Sequence, residues 1–430
     1  MQIREINGYD VVVAGGGPGG LAAAVAAARA GAKTILLERE GCLGGGMTTM
    51  MVCPFMPHVH GSSEEPGSDP MLISAGLFRE VCQRMYSRGQ AAPSRCISFD
   101  DEYMKIVLDE LACEAGVKVV FHAALFDAEA SEGRVTAARF AHNGGPIRVT
   151  GKVFIDGTGD ALLAEAAGAE VQFGDKAGRV MPMTTKFIVG GVDFSRAPDG
   201  HEMRKRCAAG AKDNPPLVNL NFSTFALKPD KGWVHFNAIR VAGRNTIDPF
   251  GLSEAEAEGR RRVENFVLWL RANVPGYEKC HLVKTGAHIG VRESRRVVGD
   301  YELTYEDWKG ARFDDAICCC SYSIDIHGDT QNITRIEHCK PGQYYQIPYR
   351  CLTPRGMDNL LIASRGISSS VEVHSSLRIM PVVMNVGEAT GIAAAMSLPA
   401  ADVRKIDIRQ LQKAIRDGGG ILEPRTTKEF

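Results

Sequence analysis

The 430 residues hold 50 Lys and Arg against 51 Asp and Glu, a net charge of −1, with 44% hydrophobic and 23% charged residues. That is the balance of a globular chain of two or three domains, and no whole-protein field draws it to nucleic acid or an anionic membrane. The twelve cysteines contain no C-x-x-C and no metal or iron–sulfur spacing, so the expectation is reduced thiols and a cytoplasmic setting.

In chain order, the first predicted unit is YDVVVAGGGPGGLAAAVAAARAGAKTILLERE, residues 9–40. The apolar run Val11–Val13 enters a glycine turn, an alanine-rich helix follows, and a second run, Ile35–Leu37, ends at Glu38. Gly15, Gly17 and Gly20 have the G-x-G-x-x-G spacing, with the acid 23 residues after the first glycine. Each part has a physical role. Gly15 permits the sharp turn, Gly17 lets backbone approach a pyrophosphate, Gly20 lets helix lie on strand, and Glu38 accepts from ribose hydroxyls. The diphosphate belongs at the helix N-terminus, where free N–H groups and the dipole favour anions. Residues 11–32 are nearly uncharged, but six glycines and a proline interrupt them and no basic n-region or cleavage site flanks them. They read as a buried β-α unit, with no membrane or targeting segment elsewhere.

A second glycine cluster, Gly44–Gly46, precedes Met47, and residues 53–75 read as loop. A helix is expected over 100–115 with Tyr103, Val107 and Leu111 on one face. Strands are expected at 117–121, 124–130, 134–141 and 147–155, the last running into Asp156-Gly157-Thr158-Gly159-Asp160 and then an alanine-rich helix. From about 180 to 345, alternating runs such as Lys186–Val192 and Trp233–Val241 predict a sheet. One helix interrupts it, with Ser253 and Glu256 as a capping box and Val263, Phe266, Val267 and Leu270 on one face. The first texture returns at strand Asn359–Ser364 and at a small-residue helix over 381–397.

Three features beyond the first motif resemble the FAD-dependent oxidoreductase family with a glutathione-reductase-type flavin domain. They are the glycine cluster after the acidic strand, IDGTGD at 155–160, and the C-terminal strand, loop and small-residue helix. GVRESRRVVGDYELT (290–304), DDAICCCSYSIDIHGD (314–329) and the stretch 348–395 carry the resemblance over essentially the whole chain. Distant relatives are fumarate-reductase flavoproteins and the flavin subunit of heterodisulfide reductase. The chain departs at Ala363-Ser364-Arg365, where the family commonly has A-G-R, and at the run Cys318–Cys320. That run reads as small buried residues on a strand.

The resemblance implies an α/β fold: a Rossmann-like FAD domain of the GR2 type, discontinuous over 1–52, 95–178 and 346–400. A mixed sheet plus helix substrate domain is inserted as 53–94 and 179–345, and 401–430 is a C-terminal tail. The implied FAD contacts are Gly15, Gly17, Pro18, Gly19, Gly20, Glu38, Arg39, Gly45, Gly46, Met47, Leu125, Thr158, Gly159, Asp160, Gly387 and Gly391.

The expected activity is hydride transfer between flavin N5 and a small polar, anionic substrate. Two other readings stay open: the flavin-bearing electron-transfer subunit of a larger complex, and a non-redox protein that binds NAD or FAD structurally. No second glycine motif supplies an NAD(P)H domain, so electrons pass directly between flavin and a small molecule, NAD(P)H or a redox protein. A homo-oligomer is compatible with the sequence.

Four residues are candidates for the chemistry. His374 and Arg378 precede the flavin-facing helix, one to exchange a proton and the other to stabilise charge on reduced flavin. His327, two residues after Asp325, has the spacing of an oriented general acid/base, and a structural histidine fits the same pattern. Arg292, with Arg295 and Arg296, suits a carboxylate, and internal pairing with Glu293, Asp300 or Glu302 is the equal alternative. Alternation puts Arg292 and Arg296 on one face. His58 and His60 lack further ligands, so no metal is expected.

Overall fold

The computed structural model describes residues 2–60, 71–210, 222–328 and 334–426. Its centre is a five-stranded parallel sheet in the order Leu360–Ile362, Val153–Asp156, Val11–Ala14, Thr34–Leu37, Lys118–Val120. The runs are continuously apolar because both faces of a parallel sheet are covered, and all four residues of Val11–Ala14 are buried. The strands come from three separated stretches of chain. The helices Pro18–Arg29 and Met380–Ser397 pack directly on each other.

A second sheet carries Arg4–Ile6, Ile147–Thr150, Arg134–Ala141 and Ala124–Ser131. The single strand expected over 147–155 is therefore two strands in two sheets, broken at Gly151 and Lys152. The helix Asp101–Glu114 buries Met104, Val107, Leu108 and Leu111. Tyr103 lies off that face and is exposed.

A third, antiparallel sheet runs Ser223–Lys228, Trp233–Val241, Met183–Gly190, His281–Thr285, and the helix Pro249–Asn273 lies against it. Its core is separate from the main one and includes Phe187, Phe236 and Phe266, with Phe187 stacked on Phe236 at 5.0 Å. The helix starts one turn before the expected capping box. Asp248 caps it by accepting from Gly251 N, and Pro249 supplies a first residue with no N–H to lose. Ser253 thus sits inside the helix, where its hydroxyl donates to the Pro249 carbonyl.

The assignment of 53–94 and 179–345 to this inserted part meets a different packing in 53–94 and in the later portion of 179–345. Phe78 and Val81, on the helix Leu77–Ser87, and Ile317 and Cys318, on the strand Ala316–Cys320, belong to the main core. The terminal stretch after 400 likewise sends Leu411 and Ile415 into it. No single helix among the described residues is long and apolar enough to cross a membrane.

Glu388 is a buried carboxyl in the middle of Met380–Ser397, accepting from Leu77 N at 3.1 Å. Burial outweighs that bond and pushes its pKa from 4.5 up to about 7. The folded state therefore holds the proton more tightly than the unfolded chain. The stabilisation is complete below pH 4.5 and is lost as pH rises through about 7. Glu388→Gln is expected to raise stability by up to about 3 kcal/mol on the alkaline side and to change little on the acid side. Chemical denaturation at both extremes checks this, and an equal change at the two would show that the carboxyl does not titrate on unfolding.

Candidate active site

A cavity of about 660 Å³ runs from the first glycine turn, past Gly45 and Thr158, to the third sheet. At one end are Gly15, Gly17, Pro18, Gly19, Glu38, Arg39 and Leu125. A Cβ on Gly17 would meet nothing closer than Gly157 O at 3.8 Å, so the space in front of this backbone is open. Gly20 is not in the wall. A Cβ there would stand 2.0 Å from Gly15 O, so its small size lets the helix close on the turn. The Glu38 carboxylate accepts from Gly16 N at 2.5 Å and Glu40 N at 2.9 Å, and burial still pushes its pKa up. Two further lone pairs on its oxygens are left for hydroxyl donors.

Two helices begin at this cavity. Pro18–Arg29 has Gly17 at its N-cap and Met380–Ser397 has Ile379, and neither has a side-chain cap or an acid in its first turn. Their first N–H groups therefore have no side chain to bond. Ile379, Met380 and Val383 lie in the cavity wall.

In the middle section, Gly45, Gly46, Thr158 and Gly159 line the cavity. Besides Gly20, four implied contacts are not in the wall. Met47 is fully buried in the main core. Asp160 is turned to Arg365 Nη2 at 2.6 Å and to Ser294 Oγ at 2.5 Å. Gly387 and Gly391 serve helix packing: a Cβ on either would lie 2.1 Å from a backbone oxygen of the first helix, Gly19 O or Ala23 O.

The far end is strongly basic. Lys186, Arg240, Arg292 and Arg378 line it, with Asp325, His327, Tyr322 and Phe225. The third sheet builds half of this wall through its pleat. Thr185, Phe187 and Val189 turn toward the helix Pro249–Asn273, so Lys186 turns to the cavity. Thr185 pairs with Ile239 and Phe187 with Phe236, leaving Asn237 and Ala238 both opposite Lys186. This β-bulge shifts the alternation of Trp233–Val241 and brings Asn237 and Arg240 to the same wall. Lys186 is the only acidic or basic residue in its strand, and Arg240 the only one in its own apart from His235. A lone charge in an apolar run was the sequence signal for both.

Of the arginine trio only Arg292 reaches the cavity, donating to Pro182 O at 2.6 Å and to Thr184 Oγ1. Arg296 is buried against Glu293 at 2.8 Å, and Arg295 pairs with Glu165 at 2.7 Å. The strand covers only Arg295–Val297, so the expected shared face of Arg292 and Arg296 does not form.

Asp325 and His327 share a face of the strand Ile324–His327, with Asp325 Oδ2 3.2 Å from His327 Nε2. Burial and then Arg292 push the His327 pKa down to about 3, so the ring is neutral. Burial opposes the Asp325 carboxylate, but the His327 N–H and the Arg378 and Arg292 guanidiniums outweigh it and keep the group ionised. An Nε2–H donated to Asp325 leaves Nδ1 as the ring's acceptor, 3.5 Å from Thr334 Oγ1. Arg378 donates to the Asp325 carbonyl at 3.1 Å.

His374 is not in this wall. It is fully buried, with Nδ1 3.1 Å from Arg365 O and Nε2 3.2 Å from Arg292 O, so it ties two cavity-lining segments from behind. His58 is buried with its ring tilted against Phe78 at 5.6 Å, and His60 Nε2 accepts from Gly342 N at 2.7 Å. Among the described residues no group of His, Cys, Asp and Glu has a metal-ligand arrangement.

A cavity with open backbone at Gly17, two uncapped helix N-termini and a buried acid near the first fits an extended dinucleotide with an anionic centre. Solved structures similar to the chain include a geranylgeranyl bacteriochlorophyll reductase-like protein from Thermoplasma acidophilum, at 15% identity over 96% of this chain and 84% of that one, with a TM-score of 0.47. The flavin-dependent brominase Bmp2 is 13% identical over 95% and 84%, TM-score 0.46. The p-nitrophenol 4-monooxygenase PnpA from Pseudomonas putida is 13% identical over 97% and 85%, TM-score 0.44. Comparison with curated proteins finds no match. The family described as FAD dependent oxidoreductase matches residues 10–415. That match spans nearly the whole chain, which belongs to this family and is an FAD-dependent oxidoreductase.

Proposed function

We propose that the enzyme moves a hydride between FAD and a small anionic substrate held at the basic end of the cavity. The observation that carries this reading is the charge there: Arg240, Arg292 and Arg378 stand with Asp325, the one carboxylate among the described residues at that end. When bound, FAD supplies a ring that accepts or gives up a hydride at N5.

The protein's own groups do the remaining work. Arg292 and Arg378 bind the substrate's anionic group, and their rigid guanidinium planes fix its orientation. Asp325 holds the His327 ring, whose Nδ1 takes the hydroxyl proton when a C–OH carbon loses hydride, or returns a proton in the reverse direction. Phe225, Tyr322 and Met56 supply apolar wall that keeps water from the reacting carbon.

Anaerobic stopped-flow mixing of the flavoprotein with hydroxy- and unsaturated carboxylates, and with uncharged analogues of each, tests the reading. Flavin absorbance is expected to change with an anionic member and not with its neutral analogue. Equal reaction of the neutral analogue, or reaction with dithionite alone, would remove it.

A further inference from the structure

Lys186 is only 5% exposed and turns into the basic end of the cavity, yet no side chain or backbone group of the described residues bonds its ammonium. The groups that face it come from every neighbouring element. His235 and Arg240 stand on the adjoining strand, Arg292 on the following segment, and Arg378 past the helix Val371–Leu377, while Lys284 on the strand at its other edge is paired with Asp101 at 2.7 Å. Beyond them are Tyr322, Asp325 and His327.

Asp325 is the one anion among these, and it already lies 3.2 Å from His327 and 3.8 Å from Arg378. Arg292 Nη1 donates to Pro182 O and Thr184 Oγ1, which are neutral. A buried ammonium with no counter-ion and three guanidiniums nearby is costly, whereas a neutral amine is not. Burial first, then Arg292 and Arg378, hold the Lys186 amine well below its ordinary range.

We propose that Lys186 is the proton-linked member of the substrate's anion site: its amine is neutral while no ligand is bound and takes one proton from solvent when a ligand with two negative charges binds. Asp325 offsets only one of the three guanidiniums of Arg240, Arg292 and Arg378. A monoanion leaves a net positive charge beside Lys186, which keeps the amine neutral, so it binds without the proton. A dianion cancels that charge and supplies the counter-ion an ammonium needs. The preferred ligand class is therefore a dianion, such as a dicarboxylate or a phosphorylated acid. This rests on the reading of the basic end as the substrate site.

The test is titration calorimetry of the FAD-loaded protein near neutral pH with malonate and with acetate, in two buffers of different ionisation enthalpy. Malonate is expected to take up about one proton and acetate about none, from the slope of heat against buffer enthalpy. Lys186→Met should bind malonate at least about tenfold more weakly with no proton uptake. Lys186→Arg, permanently charged, should bind it with no uptake and little loss, which covers a failure of the Met variant to fold. No malonate heat in the native protein, uptake near zero, or uptake unchanged in either variant overturns the proposal. Proton uptake with no carboxylate able to alter the flavin would leave the anion site standing and remove the hydride reading. A dicarboxylate that alters the flavin without proton uptake would do the reverse.

Discussion

Gly387→Val is expected to leave a protein that binds FAD poorly and unfolds at markedly lower denaturant. The helices Pro18–Arg29 and Met380–Ser397 cross so closely that a Cβ on Gly387 falls 2.1 Å from Gly19 O and 2.8 Å from its carbonyl carbon. One turn on, Gly391 stands in the same relation to Ala23. The opposing atoms are backbone, so no rotamer change relieves the overlap and the helices must separate. Overpacking of this kind costs about 1–3 kcal/mol for added methylenes, and more where backbone has to move. Valine should therefore cost about 3 kcal/mol or more, with alanine intermediate. Separation also shifts both helix N-termini that open on the cavity, so FAD affinity should fall together with stability. Urea unfolding and flavin titration of the two variants check this. Native stability in Gly387→Val would show that the crossing slides apart freely, and weak FAD binding alone would give the glycine the cofactor contact that its position in the fold denies.

The nucleotide end was legible because its determinants are local. Glycine spacing, two apolar runs and one acid lie within residues 9–40, and backbone geometry follows from them directly. Gly387 and Gly391 were misassigned for a related reason: glycines four apart mark a close approach, and sequence does not say whether ligand or helix approaches. The helix at 249 turned on a competition between two start signals. Asp248-Pro249 prevails over Ser253 because proline at the first position loses no hydrogen bond, and the extra turn extends the helix. His374 and Asp160 were drawn away from the cavity by partners distant in sequence, Arg292 and Arg365, which no local pattern reveals. The basic end depended on a β-bulge opposite Lys186, and a register shift between strands 50 residues apart has no signature in either strand. The isolated charges of Lys186 and Arg240 were visible all the same, because a polar group in a buried strand needs a reason to be there.

His327→Gln is expected to lower turnover by about 10²–10⁴-fold while the flavin spectrum and FAD affinity stay unchanged. Glutamine keeps a donor for Asp325 but has no basic nitrogen, so the variant separates orientation of the carboxylate from proton transfer. Were His327 only a strut for the strand Ile324–His327, the loss would appear in stability and leave turnover alone. The pH profile adds a sharper discriminant. Oxidation requires the neutral ring, and burial with Arg292 has moved its pKa from 6.5 to about 3. The acid limb of kcat/KM, which reports the free enzyme, should therefore lie well below the usual histidine range. Arg292 is the largest charge acting on the ring, so Arg292→Met should move that limb toward 6.5 and raise KM as an anion contact is lost. Burial remains in that variant, so the limb should stop short of the ordinary value. An acid limb already near 6.5 in the native enzyme, unmoved by Arg292→Met, would place proton transfer on another group. A limb that shifts in Arg292→Met and disappears in His327→Gln would assign it to His327 and fix Arg292 as the charge that tunes it.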